Sequence, residues 1–147
     1  MATKTVEKTE TFDVAGMIDE LAAKGAEALK GLEKLNQEQI DHIVHEMSMA
    51  ALDKHMPLAK LAVEETGRGI YEDKAIKNMY ASEYIWNAIK DNKKVSVINE
   101  DKESGNVEIA ELVGNICSVT PTTNPTSTTI FKSMIAIKKR NPFIFAL

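Results

Sequence analysis

Residues 113–133 read VGNICSVTPTTNPTSTTIFKS, and the change of periodicity within this stretch decides the fold. Val113, Ile116, Cys117 and Val119 form a short apolar run of the kind that makes a buried strand. Beyond the polar turn, Ile130 and Met134, and Phe131 and Ile135, stand four apart, which predicts a helix over Pro125 to Lys139. Phe143 to Phe145 is apolar again. Strand, helix, strand in this order is one βαβ unit of an α/β sheet, because parallel strands need a long crossover and a helix supplies it.

The turn between the first strand and the helix is where such a sheet carries chemistry, since ligands of open α/β sheets bind beyond the C-terminal ends of strands. Pro121 and Pro125 each fix a φ angle, and Pro125 suits the first helical position, leaving Asn124 as the N-cap. Free N–H groups and the positive end of the helix dipole then favour a phosphate or a developing oxyanion. The hydroxyls of Thr122, Thr123, Thr126 and Ser127 add donors. A polar turn of this kind also serves simply to cap a helix, so the residues alone leave both readings open.

Upstream the pattern is helical. Val14, Met17, Ile18, Leu21, Ala22, Ala28, Leu29 and Leu32 recur at spacings of three and four, a long helix that Gly16 and Gly25 weaken. Asn36 and Gln39 have the spacing of a capping box and open a second helix, whose apolar stripe is Ile40, Ile43, Val44, Met47, Ala50 and Ala51. Its opposite arc, Glu38, Asp41, His42, His45 and Glu46, is expected to be wet. Pro57 fits the first turn of a third helix with Leu58, Leu61, Ala62 and Val63, ended by Gly67 and Gly69. A fourth runs from about Asp73 to Lys90, with Ile76, Met79, Tyr80, Tyr84, Trp86 and Ile89 as a broad apolar surface. Val95, Val97, Val107 and Ile109 flank the polar segment from Asn99 to Asn106, a period of two that predicts a hairpin.

At 147 residues the chain suffices for one ordinary domain or a piece of one, and 44% hydrophobic with 27% charged residues is the usage of folded rather than disordered proteins. A net charge of -4 with interleaved signs gives no basic field for nucleic acid or an anionic membrane. A lone cysteine, no export signal and no apolar run near the ~18 residues of a membrane span point to the cytoplasm. Residues 1–12 are polar and aperiodic, a frayed start.

The run TPTTNPTSTTIFKS, from Thr120 to Ser133, resembles the loop and helix after the first nucleotide-binding strand of coenzyme-A-acylating aldehyde dehydrogenases, particularly those fused to an iron-dependent alcohol dehydrogenase. MPLAKLAVEETGRGIYEDKAIKN (56–78) and the following ASEYIWNAIKD are similar to the same family, including the corner Glu65-Thr66-Gly67-Arg68; the resemblance covers about residues 36 to 145. It implies an α/β chain of N-terminal helices, a hairpin and the first βαβ unit of a Rossmann-like nucleotide-binding domain, with residues 13–147 the truncated N-terminal portion of an aldehyde dehydrogenase domain. The implied reaction is aldehyde plus NAD and coenzyme A to acyl-CoA and NADH, through a cysteine nucleophile, as in fermentative metabolism. On this chain the family's cofactor loop falls on Val119, Thr120, Pro121, Thr122, Thr123 and Asn124, and Asn124 matches the asparagine whose amide helps form the oxyanion hole. Leu112 and Asn115 depart from the pattern, standing where the family usually has a proline and an apolar residue.

The catalytic cysteine's position falls beyond Leu147, and Cys117, inside the apolar strand, is expected to be a buried, inert thiol. The 147 residues alone are therefore expected to be inactive and to bind NAD weakly. The complete enzyme is expected to take a small aldehyde or acyl-CoA and to form a homo-oligomer. No metal site is expected: His42 and His45 with Glu46 lack a third ligand and lie on a polar face. Helical spacing assigns Tyr80, Tyr84 and Trp86 to packing, and Lys138, Lys139 and Arg140 to a helix C-terminus, where they complement its dipole. The alternative to an oxidoreductase segment is a non-catalytic helical and hairpin module that binds full-length copies through its sheet edge.

Overall fold

The structure, a computed structural model, describes residues 13–146, so the polar start expected over residues 1–12 lies outside it. Helix α1 (Val14–Leu32) begins where the Asp13 carboxylate accepts from the N–H of Gly16 at 2.9 Å and continues through both glycines without a break. Helix α2 (Gln37–Asp53) opens on the expected capping box: Asn36 Oδ1 accepts from the N–H of Gln39, and Gln39 Oε1 accepts from the N–H of Asn36. His55 begins α3 (His55–Thr66), its Nδ1 2.5 Å from the carbonyl of Leu52. Gly67 ends α3 in the left-handed conformation, φ 61°, where its N–H bonds the carbonyl of Val63.

Helix α4 (Tyr71–Met79) runs through a π turn (Tyr80–Tyr84) into the short α5 (Ile85–Ile89). The wide turn shifts the helical register, and this redistributes the apolar surface expected along one face. Ile85, Trp86 and Ile89 pack on the core, whereas Ile76, Tyr80 and Tyr84 are left more than half exposed. Packing is thus the role of Trp86 but not of the two tyrosines, which stack on each other at 5.2 Å.

The core centres on Ile40 and Val44 of α2 and Met134 of α6 (Pro125–Lys138), with Leu35, Met47, Ile130 and Ile137 around them. Ser48 continues the buried row of α2 one turn on, donating to the carbonyl of Ser82 in the π turn, and Ala50 of the expected stripe is exposed. Nor is the opposite arc uniformly wet. Asp41 Oδ1 receives a hydrogen bond from Lys138 Nζ at 2.5 Å, and the Lys138 ammonium also reaches the carbonyl of Lys90 at 2.8 Å. Lys138 is therefore a buried tie between α6, α2 and the end of α5, not a surface cation at a helix end.

Strands β1 (Ser96–Asp101) and β2 (Asn106–Ala110) form the antiparallel hairpin, with a bulge between Val97 and Asn99. Asp101 accepts from Ser104 and from the N–H of Glu103 in the turn, and these bonds hold its carboxyl below the usual range. Strands β3 (Ile116–Val119) and β4 (Phe143–Ala146) pair in parallel, Ile116 with Phe143 through Val119 with Ala146, with α6 as the crossover. The βαβ unit read from the sequence is present. Buried Asn141 closes it: its Oδ1 accepts from the N–H groups of Val113 and Gly114, tying the approach to β3 to the turn before β4.

Candidate functional site

The turn from Thr120 to Asn124 sits at the C-terminal end of β3 and feeds directly into α6, as the sequence predicts. Thr120 still belongs to the sheet, its N–H bonding the carbonyl of Ala146 at 2.8 Å, while its buried Oγ1 finds no partner among the described residues. Val119, Pro121, Thr122 and Thr123 are exposed and Asn124 is half-buried. Pro125 occupies the first helical position, and the N–H of Asn124 closes the turn on the carbonyl of Pro121.

Asn124 holds the N-cap position without acting as a side-chain cap. Its Oδ1 accepts from Lys77 Nζ at 3.3 Å, and its Nδ2 lies 3.3 Å from Thr123 Oγ1. Three residues of α4, at i, i+3 and i+4, hold the turn and the start of α6. Lys74 donates to the carbonyl of Thr123 at 2.9 Å, Lys77 to Asn124, and Asn78 Oδ1 accepts from Thr126 Oγ1 at 2.8 Å while its Nδ2 donates to the carbonyl of His55. On the other side, Lys132 reaches back to Ser118 Oγ at 2.9 Å. None of these four was singled out from the sequence. A signal existed in the polar stripe Lys74, Lys77, Asn78 on an otherwise apolar helix, but a charged stripe is ordinarily a solvated face.

Two expectations from the sequence give way at this edge of the sheet. Cys117 is exposed, not buried, because it projects from a part of the β3–β4 sheet that no other described element covers. Asn115, which departs from an apolar pattern, docks α1 instead of altering the entry to the strand, since its Nδ2 donates to the carbonyl of Ala22 at 2.8 Å beside Gly25.

No family model matches the chain. It is 53% identical over 139 residues to aldehyde-alcohol dehydrogenase 2 of Entamoeba histolytica, covering 93% of this chain and 16% of that protein. With the bifunctional aldehyde-alcohol dehydrogenase AdhE of Escherichia coli K12 it shares 50% over 129 residues, 88% of this chain and 14% of the other. The chain is homologous to the N-terminal acylating region of aldehyde-alcohol dehydrogenases. An acetylating aldehyde dehydrogenase from Geobacillus thermoglucosidasius superposes with a TM-score of 0.86 at 45% identity, over 88% of this chain and 29% of that one. An engineered glycolyl-CoA reductase with bound NADP+ superposes with a TM-score of 0.69 at 26% identity, over 87% of this chain and 29% of its own length. The chain thus spans about a sixth of the bifunctional relatives and under a third of these solved structures. Among the described residues no helix is long and apolar enough to cross a membrane.

Proposed function

We propose that this chain is the N-terminal segment of an NAD-dependent acylating aldehyde dehydrogenase, which converts an aldehyde, coenzyme A and NAD to acyl-CoA and NADH, and that Val119 to Asn124 form one wall of its cofactor site. The observation that carries this reading is the turn itself: an exposed loop at a parallel-strand C-terminus, opening a 14-residue helix, in a chain half identical to aldehyde-alcohol dehydrogenases. The donor set fits a dinucleotide. The hydroxyls of Thr122 and Thr123 are exposed, the Thr120 hydroxyl is buried and unpaired among the described residues, and the positive end of α6 faces the same space. Bound NAD accepts a hydride from the substrate carbon. The protein's own part is to hold and orient: Asn124 Nδ2 donates to the oxygen on which negative charge develops, where a preorganised donor acts most strongly.

Nothing around Cys117 makes it a nucleophile, since no hydrogen bond or ion pair joins it to a basic side chain among the described residues, and the reacting thiol is assigned to the remainder of the enzyme. The free edges of the β1–β2 hairpin support homo-oligomer assembly of that enzyme. A purely non-catalytic module is not favoured by the comparisons.

The test is Asn124→Ala in a full-length acylating aldehyde dehydrogenase carrying this segment. Following NADH formation from acetaldehyde, NAD and coenzyme A, kcat falls by ~10²-fold while the KM for NAD changes little. An unchanged kcat removes Asn124 from the reaction.

A further inference from the structure

Lys74 and Lys77 bring two ammonium groups to the Thr123–Asn124 segment, and neither takes part in an ion pair among the described residues. Lys74 is buried, at 6% exposure, and its Nζ ends on the carbonyl of Thr123. Room for its stem comes from the corner after α3: Gly69 has φ 80°, and a Cβ there would stand 3.0 Å from Lys74 Cε. The peptide preceding Asn124 is thus held from within the fold.

Lys77 acts on the side chain. An asparagine amide has two orientations of nearly equal shape, one presenting oxygen where the other presents NH2. An ammonium has three donors and no acceptor, so beside Lys77 Nζ only the orientation with Oδ1 toward the lysine is compatible. The flipped amide would set N–H against N–H. Because Oδ1 is engaged by Lys77, it is not used to cap α6, in agreement with the missing side-chain cap. One Nδ2 hydrogen lies toward Thr123 Oγ1, and the second has no acceptor among the described residues.

We propose that Lys77 is a positioning residue for Asn124, selecting the amide orientation that presents Nδ2 to the reacting oxygen and polarising that donor by its charge, while Lys74 holds the backbone beneath it. This role rests on the reading of Asn124 as the oxyanion donor. A charge-assisted bond to Oδ1 withdraws electron density through the amide and strengthens the N–H donors on the same group. The effect is felt most when negative charge develops, so it belongs to kcat rather than to cofactor binding.

The experiment is a double-mutant cycle in the same full-length enzyme, reading kcat and the KM for NAD separately. Lys77→Met lowers kcat by about 10-fold or more with the KM for NAD within about 2-fold of its starting value. Lys77→Arg, also a donor without acceptors, recovers kcat to within about 3-fold. In the Asn124→Ala background, Lys77→Met costs less than about 2-fold, because the group it acts through is gone. Full activity of Lys77→Met, failure of the arginine to rescue, or losses that multiply in the double variant overturn the positioning role. If Asn124→Ala itself leaves kcat unchanged, the reading of Asn124 falls and the role of Lys77 with it. If Asn124→Ala slows the enzyme and Lys77→Met does not, only the role of Lys77 falls.

Discussion

Asn115 and Gly25 meet where α1 crosses the approach to β3. The asparagine donates to the carbonyl of Ala22, and a Cβ added at Gly25 would collide with its side-chain amide, so the glycine is a site of close approach and not a weakness of the helix. This gives a prediction whose sign depends on background. Gly25→Ala alone displaces Asn115 and loosens α1, lowering the urea midpoint. In an Asn115→Ala background the same substitution raises it, because alanine is favoured over glycine inside a helix by ~1 kcal/mol and the colliding amide has been removed. Destabilisation in both backgrounds would show that Gly25 answers to some other neighbour.

Among the elements, α6 does most to join the parts. Ile130, Met134 and Ile137 face the core with α2, and the helix end is pinned by Lys138, whose ammonium lies between Asp41 and the carbonyl of Lys90 with the Trp86 ring 5.9 Å away. The Lys138 side chain is 3% exposed and that of Asp41 32%, so the two halves of the pair are unequal. Asp41→Asn leaves a buried cation without its counter-charge, while Lys138→Met leaves a carboxylate that water can still reach. Breaking a buried pair costs roughly 3 to 5 kcal/mol, and Asp41→Asn belongs to that range whereas Lys138→Met falls below it. Denaturant unfolding of both variants checks the order, and equal losses would contradict it.

At the scale of the whole molecule, apolar surface is left open where a larger domain would cover it. Ile76, Tyr80 and Tyr84 on the rod from α4 to α5, and Val119 beside Phe145 on the sheet, are exposed, and the hairpin has no neighbouring strand among the described residues. The 147 residues by themselves are therefore expected to self-associate in size-exclusion chromatography with light scattering, and a monodisperse, cooperatively melting monomer would speak against this. They are also expected to form no NADH from acetaldehyde, NAD and coenzyme A, and to bind NAD more weakly than a Kd of ~10 μM, about -6.8 kcal/mol. Because Cys117 is exposed, turnover abolished by Cys117→Ser is the informative opposite result.

What the sequence determined by itself is local or periodic. The Asn36–Gln39 capping box needs only its own turn of helix, Pro125 needs only its own φ, and the switch from apolar run to spacings of four located β3, α6 and the turn between them. The same logic misplaced Tyr80 and Tyr84, since one π turn rotates every later residue and no pattern in the chain announces it. Tertiary structure alone decided the partners of the polar residues. Lys74 meets Thr123 across 49 positions, Lys77 meets Asn124 across 47, and Asp41 meets Lys138 across 97. A lysine on a helix reads the same in sequence whether its ammonium ends in water or on a carbonyl, because what settles the matter is which surface the packed core turns toward it.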